Sequence, residues 1–165
     1  MQLGGVDTAA DGDANGKRDR DRPARARAVA RGVIRELVVS LAEKGGIPQT
    51  AVDEIVAALI KREQNGSTGF GKGVAVPHVK HAKVKKMAGT IGRSTTGVDF
   101  AALDHQPVYS VVLLLSPENQ PQQHLQAMNI VFSNLQQDMF RRFLRQSETR
   151  EAIVDLLDEA DQQAK

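Results

Sequence analysis

Apolar positions along the chain change their spacing several times, and each change marks an element. From Ala28 the residues Val33, Ile34, Leu37, Val38 and Leu41 recur at steps of three and four until Gly45-Gly46, which predicts an amphipathic helix with a glycine stop. Val52, Ile55, Val56, Leu59 and Ile60 repeat that spacing. Thr50 and Asp53 resemble a capping box that opens this second helix, and Asn65-Gly66 closes it.

The period then shortens. Residues 74–79 predict a short strand and residues 88–94 another, while residues 107–116 form a nearly unbroken apolar run containing Val108, Tyr109, Val111, Val112, Leu113, Leu114 and Leu115. Such a run belongs in the middle of a sheet covered on both faces. Ser116-Pro117-Glu118 is expected to start a third helix, whose inner stripe is Leu125, Met128, Val131, Phe132 and Leu135. A segment with Phe140, Phe143 and Leu144 follows, then a last one with Ile153, Leu156 and Leu157, capped at Ser147. Two helices, then strands, then helices make a layered α/β domain.

Residues 1–23 fit neither period. They are Gly, Asp, Ala and Arg with almost nothing to bury, the composition of a disordered extension. The expected division is therefore an extension over 1–27 and one domain over 28–160. With 165 residues, 41% of them apolar, the chain can bury one ordinary core. The absence of cysteine excludes disulfides and thiolate metal sites. No apolar run approaches the roughly 18–20 residues that span a bilayer, and the start lacks the apolar stretch of a signal peptide. A soluble, cytoplasmic protein is expected, not membrane-embedded. Of the charged residues, the first 31 positions hold seven Arg or Lys against five Asp, so the remainder is balanced. A neutral body with 4% aromatic residues argues against nucleic acid as a partner.

The candidate chemistry lies in residues 66–78. Gly66, Gly69, Gly71 and Gly73 make a loop that lets backbone approach whatever binds there, and Val74-Ala75-Val76-Pro77 then delivers His78. An imidazole titrates near neutrality, so a small shift leaves it neutral and nucleophilic. The loop supplies backbone N–H groups, at Gly69 among others, and the hydroxyls of Ser67 and Thr68. Arg62, in the last turn of the second helix, is either a cation opposing the helix dipole or a fork for a phosphate, and spacing alone does not choose. His124 lies near the start of the third helix, where the dipole disfavours imidazolium. A neutral ring there can donate one N–H to a phosphoryl oxygen, or else it is a core histidine bonded to a backbone carbonyl. His105 reads as a surface turn residue. His81 is three residues from His78, an odd spacing that puts the two on opposite faces of a strand, and further ligands at metal-site spacing are not evident. Lys72, Lys80, Lys83, Lys85 and Lys86 form either a solvated loop or a basic collar for an acidic partner.

Taken together these residues resemble the enzyme IIA domains of the bacterial phosphotransferase system, of the fructose/mannitol type (type 2), and most nearly the nitrogen-regulatory IIA proteins. The resemblance covers residues 34–158. It rests on Arg62-Glu63, Ser67-Thr68-Gly69-Phe70-Gly71, Val74-Ala75-Val76-Pro77-His78, Val98-Asp99-Phe100, Pro107-Val108, Leu113-Leu114-Leu115, Pro117-Glu118 and His124-Leu125, in that order. It implies a three-layer α/β sandwich with a mixed central β-sheet flanked by helices on both faces. It further implies a phosphocarrier: His78 accepts a phosphoryl group from the histidine phosphocarrier protein and passes it to a IIB domain of a sugar permease, or holds it as a signal to a regulatory target protein. His124 and Arg62 help to hold that group, beside a loop of Ser67, Thr68 and Gly69, and neither metal nor organic cofactor is required. A partly apolar rim is expected around His78, with Phe70 and Val79 as candidates. Two departures stand out: the family usually has glycine where this chain has Val79, and the family's first strand would fall in the polar segment. The stand-alone arrangement favours the regulatory type. The alternative from another class is a binding module that keeps the fold without transferring phosphate.

Overall fold

The structure is a computed structural model that describes residues 11–163. Helix α1 (Asp11–Glu43) leads through a 3₁₀ turn (Gln49–Ala51) into α2 (Val52–Gln64). Five strands follow, β1 (Gly69–Gly71), β2 (Val74–Ala75), β3 (His78–His81), β4 (Ala88–Val98) and β5 (Val108–Pro117). Helices α3 (Pro121–Gln136), α4 (Asp138–Gln146) and α5 (Arg150–Gln163) complete the described chain.

The apolar run of β5 is the spine of the sheet. Its first half pairs in parallel with β2 (Val74 with Ser110) and its second half with β3 (His78 with Leu114, Lys80 with Ser116). On its other side β4 runs antiparallel, from Ala88 opposite Leu115 to Arg93 opposite Ser110, and β1 pairs antiparallel with β2. Pro77 separates β2 from β3, because a proline cannot donate to the ladder; its carbonyl still accepts the Leu114 N–H at 3.0 Å. Alternate residues of β5 face opposite layers. Val111, Leu113 and Leu115 join Ile34, Val38, Ile55 and Leu59 under α1 and α2, while Leu114 joins Val76, Met128, Leu135 and Leu144 under α3 and α4. The three-layer sandwich with a mixed sheet is thus the observed fold.

Several local expectations are corrected. Helix α1 begins at Asp11 rather than Ala28, so the part of the expected disordered extension that the structure describes is helical; residues 1–10 lie outside the described residues. Ala26 and Ala30 are both 2% exposed. A face of alanines packs closely yet adds too little apolar bulk to register as a hydrophobic period. Arg22 pins this part of the helix by donating to Asp99 (3.1 Å) and to the His105 carbonyl (3.0 Å). Pro23 removes one helical hydrogen bond without breaking the helix. Among the described residues no strand precedes α1.

The expected capping box of α2 does not form. Thr50 lies in the 3₁₀ turn, Ala51 is the cap, and Asp53 instead accepts a bond from Arg35 at 2.9 Å. Helix α3 starts at Pro121, not at Ser116, since the ladder with β3 carries β5 through to Pro117. Helix α5 is capped by Thr149, whose hydroxyl oxygen accepts the Ala152 N–H at 3.2 Å, whereas Ser147 donates to the Phe143 carbonyl at the end of α4. The short strand β1 and the last four residues of β4 were not legible as strand.

Candidate functional site

His78 is the first residue of β3, and alternation along that strand sets His78 and Lys80 on the face that α3 covers. Val79 and His81 take the other face. Val79 packs against the core under α1 and α2, so it is not part of a rim around His78. The Nδ1 of His81 accepts the Lys83 N–H, and its Nε2 stands 4.0 Å from Glu54. Among the described residues no cluster of three or more His, Cys, Asp or Glu is placed to hold a metal.

The Nδ1 of His78 lies 2.7 Å from the Val76 carbonyl oxygen. A carbonyl can only accept, so Nδ1 carries the hydrogen and Nε2 keeps its lone pair. Burial holds the His78 pKa below the ordinary imidazole value; the bond to Val76 opposes this, the Arg62 charge adds to it, and the Glu63 charge opposes it. The ring is thereby kept neutral, with a free nitrogen on the side away from Val76.

His124 is the fourth residue of α3, and its ring centroid is 5.7 Å from that of His78, with 37° between the planes. Its pKa is also lowered, first by burial and then by the charges of His78 and Lys80. Its Nδ1 is 2.8 Å from the hydroxyl of Ser116 on β5. The sequence pairing of His78 with His124 is therefore realised in space, but the partner of His124 is a side chain and not a backbone carbonyl.

Arg62 occupies the last turn of α2 and donates to the Gly66 carbonyl at 3.1 Å. That bond ties Arg62 to the chain just beyond the helix end, and its charge also reaches His78. Its position in the last turn suits a cation opposing the helix dipole.

The loop differs from expectation. Thr68 donates its N–H and its hydroxyl to the two carboxyl oxygens of Glu63, at 2.8 and 2.7 Å. Ser67 donates to the Phe100 carbonyl (3.2 Å), and its oxygen accepts the Gly69 N–H (3.1 Å). The hydroxyls of Ser67 and Thr68 and the N–H groups of Thr68 and Gly69 are engaged within the protein, which gives the loop the form of a brace. The Thr68 carbonyl accepts the Val76 N–H at 3.1 Å, and the Val76 carbonyl in turn holds His78. Glu63 and Ser116 were missed as site residues. Glu63 adjoins Arg62 in sequence, but its role depends on the loop folding back five residues; Ser116 read as a helix start.

Phe70 is half-buried with its ring edge-on to Phe132 at 5.4 Å, and Leu125, next to His124, is 61% exposed. Lys80 shares the face of the two histidines, Lys83 is paired with Glu54, and Lys72 sits in the turn between β1 and β2, so the lysines do not form one collar. His105 is an exposed turn residue, as expected. Among the described residues no helix is long and apolar enough to cross a membrane.

Residues 28–160 match the family model described as "Phosphoenolpyruvate-dependent sugar phosphotransferase system, EIIA 2". The chain is 37% identical over 124 residues to the nitrogen regulatory protein of Bradyrhizobium diazoefficiens, covering 75% of this chain and 79% of that one. It is 35% identical over 130 residues to the fructose-specific EIIABC component of Bacillus subtilis, covering 78% of this chain but only 20% of that larger protein. The crystal structure of nitrogen regulatory protein IIA-Ntr from Neisseria meningitidis superimposes with a TM-score of 0.69 at 31% identity, over 77% of this chain and 85% of that one. A match of this extent, carried by the sequence and the fold alike, makes the chain a member of the EIIA type-2 family of the phosphoenolpyruvate-dependent sugar phosphotransferase system.

Proposed function

We propose that this chain is a phosphohistidine carrier in which His78 Nε2 accepts a phosphoryl group from the histidine phosphocarrier protein. The observation that carries the reading is the Nδ1–H of His78 held on the Val76 carbonyl, which leaves Nε2 as the nucleophile, with a second neutral histidine beside it. The Nε2 lone pair forms the new P–N bond as the donor's P–N bond breaks, and the donor imidazole leaves with that electron pair. The positive charge that develops on the His78 ring is shared through Nδ1–H with Val76. His124, Arg62 and the unpaired N–H groups in the first turn of α3 are the groups that would meet the phosphoryl oxygens. Positioning and electrostatics supply the rate, with no need of a metal or organic cofactor.

The acceptor on this reading is a IIB domain or a regulatory target protein. The share of the Bradyrhizobium nitrogen regulatory protein that the chain covers supports the regulatory role, and on this reading the protein works in the cytoplasm beside its donor. The engaged donors of the loop favour a second reading, a binding module that does not transfer phosphate. The test is incubation with phosphoenolpyruvate, enzyme I and the phosphocarrier protein, read by intact mass and acid lability of the label. One phosphoryl group on the wild type and on His124→Ala, and none on His78→Ala, is the expected result. An unlabelled wild type that still binds the phosphocarrier protein would establish the second reading instead.

A further inference from the structure

Resting on the carrier reading for its consequence but on geometry alone for its chemistry, we infer that Ser116 is a positioning residue that fixes His124 as an Nε2–H donor. Ser116 is fully buried, and its hydroxyl bonds to His124 Nδ1 at 2.8 Å. It ends the aliphatic run Val111 to Leu115, where another aliphatic residue would have continued the pattern. The register sets it opposite Lys80 while Leu114 stands opposite His78, so β5 places an apolar side chain at the level of the nucleophile and a hydroxyl at the level of its neighbour.

Hydrogen accounting decides the tautomer. A neutral imidazole has one donor nitrogen and one acceptor. If Nδ1 carried the hydrogen, it would donate to Oγ, and the O–H of Ser116 would be a buried donor with no acceptor, which forfeits its full solvation. If Ser116 donates to Nδ1, both groups are satisfied and the hydrogen resides on Nε2. A doubly protonated ring is disfavoured for the same reason, because it too would turn Nδ1 into a donor. The two histidines therefore hold opposite tautomers. In His78 the Val76 carbonyl claims Nδ1–H and frees Nε2 as nucleophile. In His124 the Ser116 hydroxyl claims the Nδ1 lone pair and presents Nε2–H, the form that can donate to a phosphoryl oxygen. Without Ser116, His124 would be free to exchange tautomers and to protonate.

The experiment is long-range ¹H–¹⁵N correlation of the histidine rings in the full chain, well above the usual imidazole pKa of about 6.5, for wild type, Ser116→Ala and Ser116→Thr. Backbone amide spectra check that each variant is folded. The expected result is an Nε2–H tautomer for His124 in wild type, a mixture in Ser116→Ala, and the wild-type pattern restored by the Thr hydroxyl, with the His78 pattern constant throughout. Phosphohistidine on His78 is expected to hydrolyse about tenfold faster in Ser116→Ala than in wild type, a change of roughly 1.4 kcal/mol. An Nδ1–H tautomer in wild type, or an unchanged His124 pattern in Ser116→Ala, would overturn the assignment even if Ser116→Thr does not fold. An altered tautomer with an unaltered hydrolysis rate would overturn its functional half. If wild type takes no label, the carrier reading falls, and the tautomer is still decided by the ring spectra.

Discussion

Glu63 grips Thr68 twice, through its backbone N–H at 2.8 Å and through its hydroxyl at 2.7 Å. The grip closes the turn between α2 and the sheet and fixes the Thr68 carbonyl on which the Val76 N–H rests. Val76 then offers its own carbonyl to His78. A side chain three hydrogen bonds away from the His78 ring thus helps to set the orientation of that ring.

Glu63→Gln tests this brace. The amide oxygen can still accept the Thr68 N–H, but the NH₂ in place of the second oxygen can only donate to the Thr68 hydroxyl oxygen, which leaves that O–H without its acceptor. Thr68 is 6% exposed, so an unmet donor there costs about 1–3 kcal/mol. Denaturant unfolding should show that loss. Phosphorylation of His78 should also slow, and a wild-type rate in a destabilised Glu63→Gln variant would show that the brace serves stability alone.

Some parts of the site are legible in the sequence, and others form only where distant residues meet. The apolar run of β5 and the delivery of His78 behind a proline depend on neighbours in sequence, and both are legible there. The brace depends on Glu63, Thr68 and Val76 meeting across a turn and a strand pair, so loop donors that look free are in fact engaged. Ser116 was hidden differently: serine before proline is a common helix opening, and only the pairing of β3 with β5 reveals it as a buried strand position. The part of α1 around Ala26 was hidden because buried alanines carry almost no hydrophobic signal.

Burial lowers the pKa of both site histidines, and the pH dependence follows in sign. The unfolded chain, with imidazole pKa values near 6.5, binds protons before the folded chain does, so stability is full above about 6.5 and falls as pH drops toward the lowered folded values. After burial, the bond to Val76 favours protonation of His78, the Arg62 charge disfavours it and Glu63 favours it, while the charges of His78 and Lys80 disfavour protonation of His124. Urea unfolding across this window should show a midpoint that falls with pH in wild type and changes less in a His78→Gln, His124→Gln double variant. The labelling rate should remain high below the ordinary imidazole pKa, because His78 stays neutral there. A rate that halves at or above pH of about 6.5 would contradict the lowered value.

The N-terminal half of α1 gives a contrast between neighbouring positions. Ala26 is buried and Ala28 is exposed. Ala26→Glu places a charge in a close-packed face with no partner and should destabilise by about 1–3 kcal/mol. Ala28→Glu should change stability by less than about 0.5 kcal/mol. Equal effects in thermal unfolding would mean that this part of the helix does not pack on the domain. Arg22→Ala, by contrast, removes a half-exposed ion pair with Asp99 and should cost no more than about 1 kcal/mol.

Leu125 follows His124 on α3 and is 61% exposed, an apolar side chain outside both hydrophobic clusters. A carrier whose substrate is a histidine on another protein needs such a surface to bring the two rings into line, since the reacting groups themselves offer little contact area. Leu125→Asp should therefore leave the unfolding midpoint within about 0.5 kcal/mol of wild type. It should raise the concentration of phosphocarrier protein needed for half-maximal labelling by about tenfold, equivalent to about 1.4 kcal/mol of docking energy. The rate at saturating donor should hold, because Leu125 touches neither nitrogen. A fall in that saturating rate with unchanged donor dependence would instead place Leu125 among the residues that orient His124, and the docking surface would have to be sought around Phe70 and Phe132.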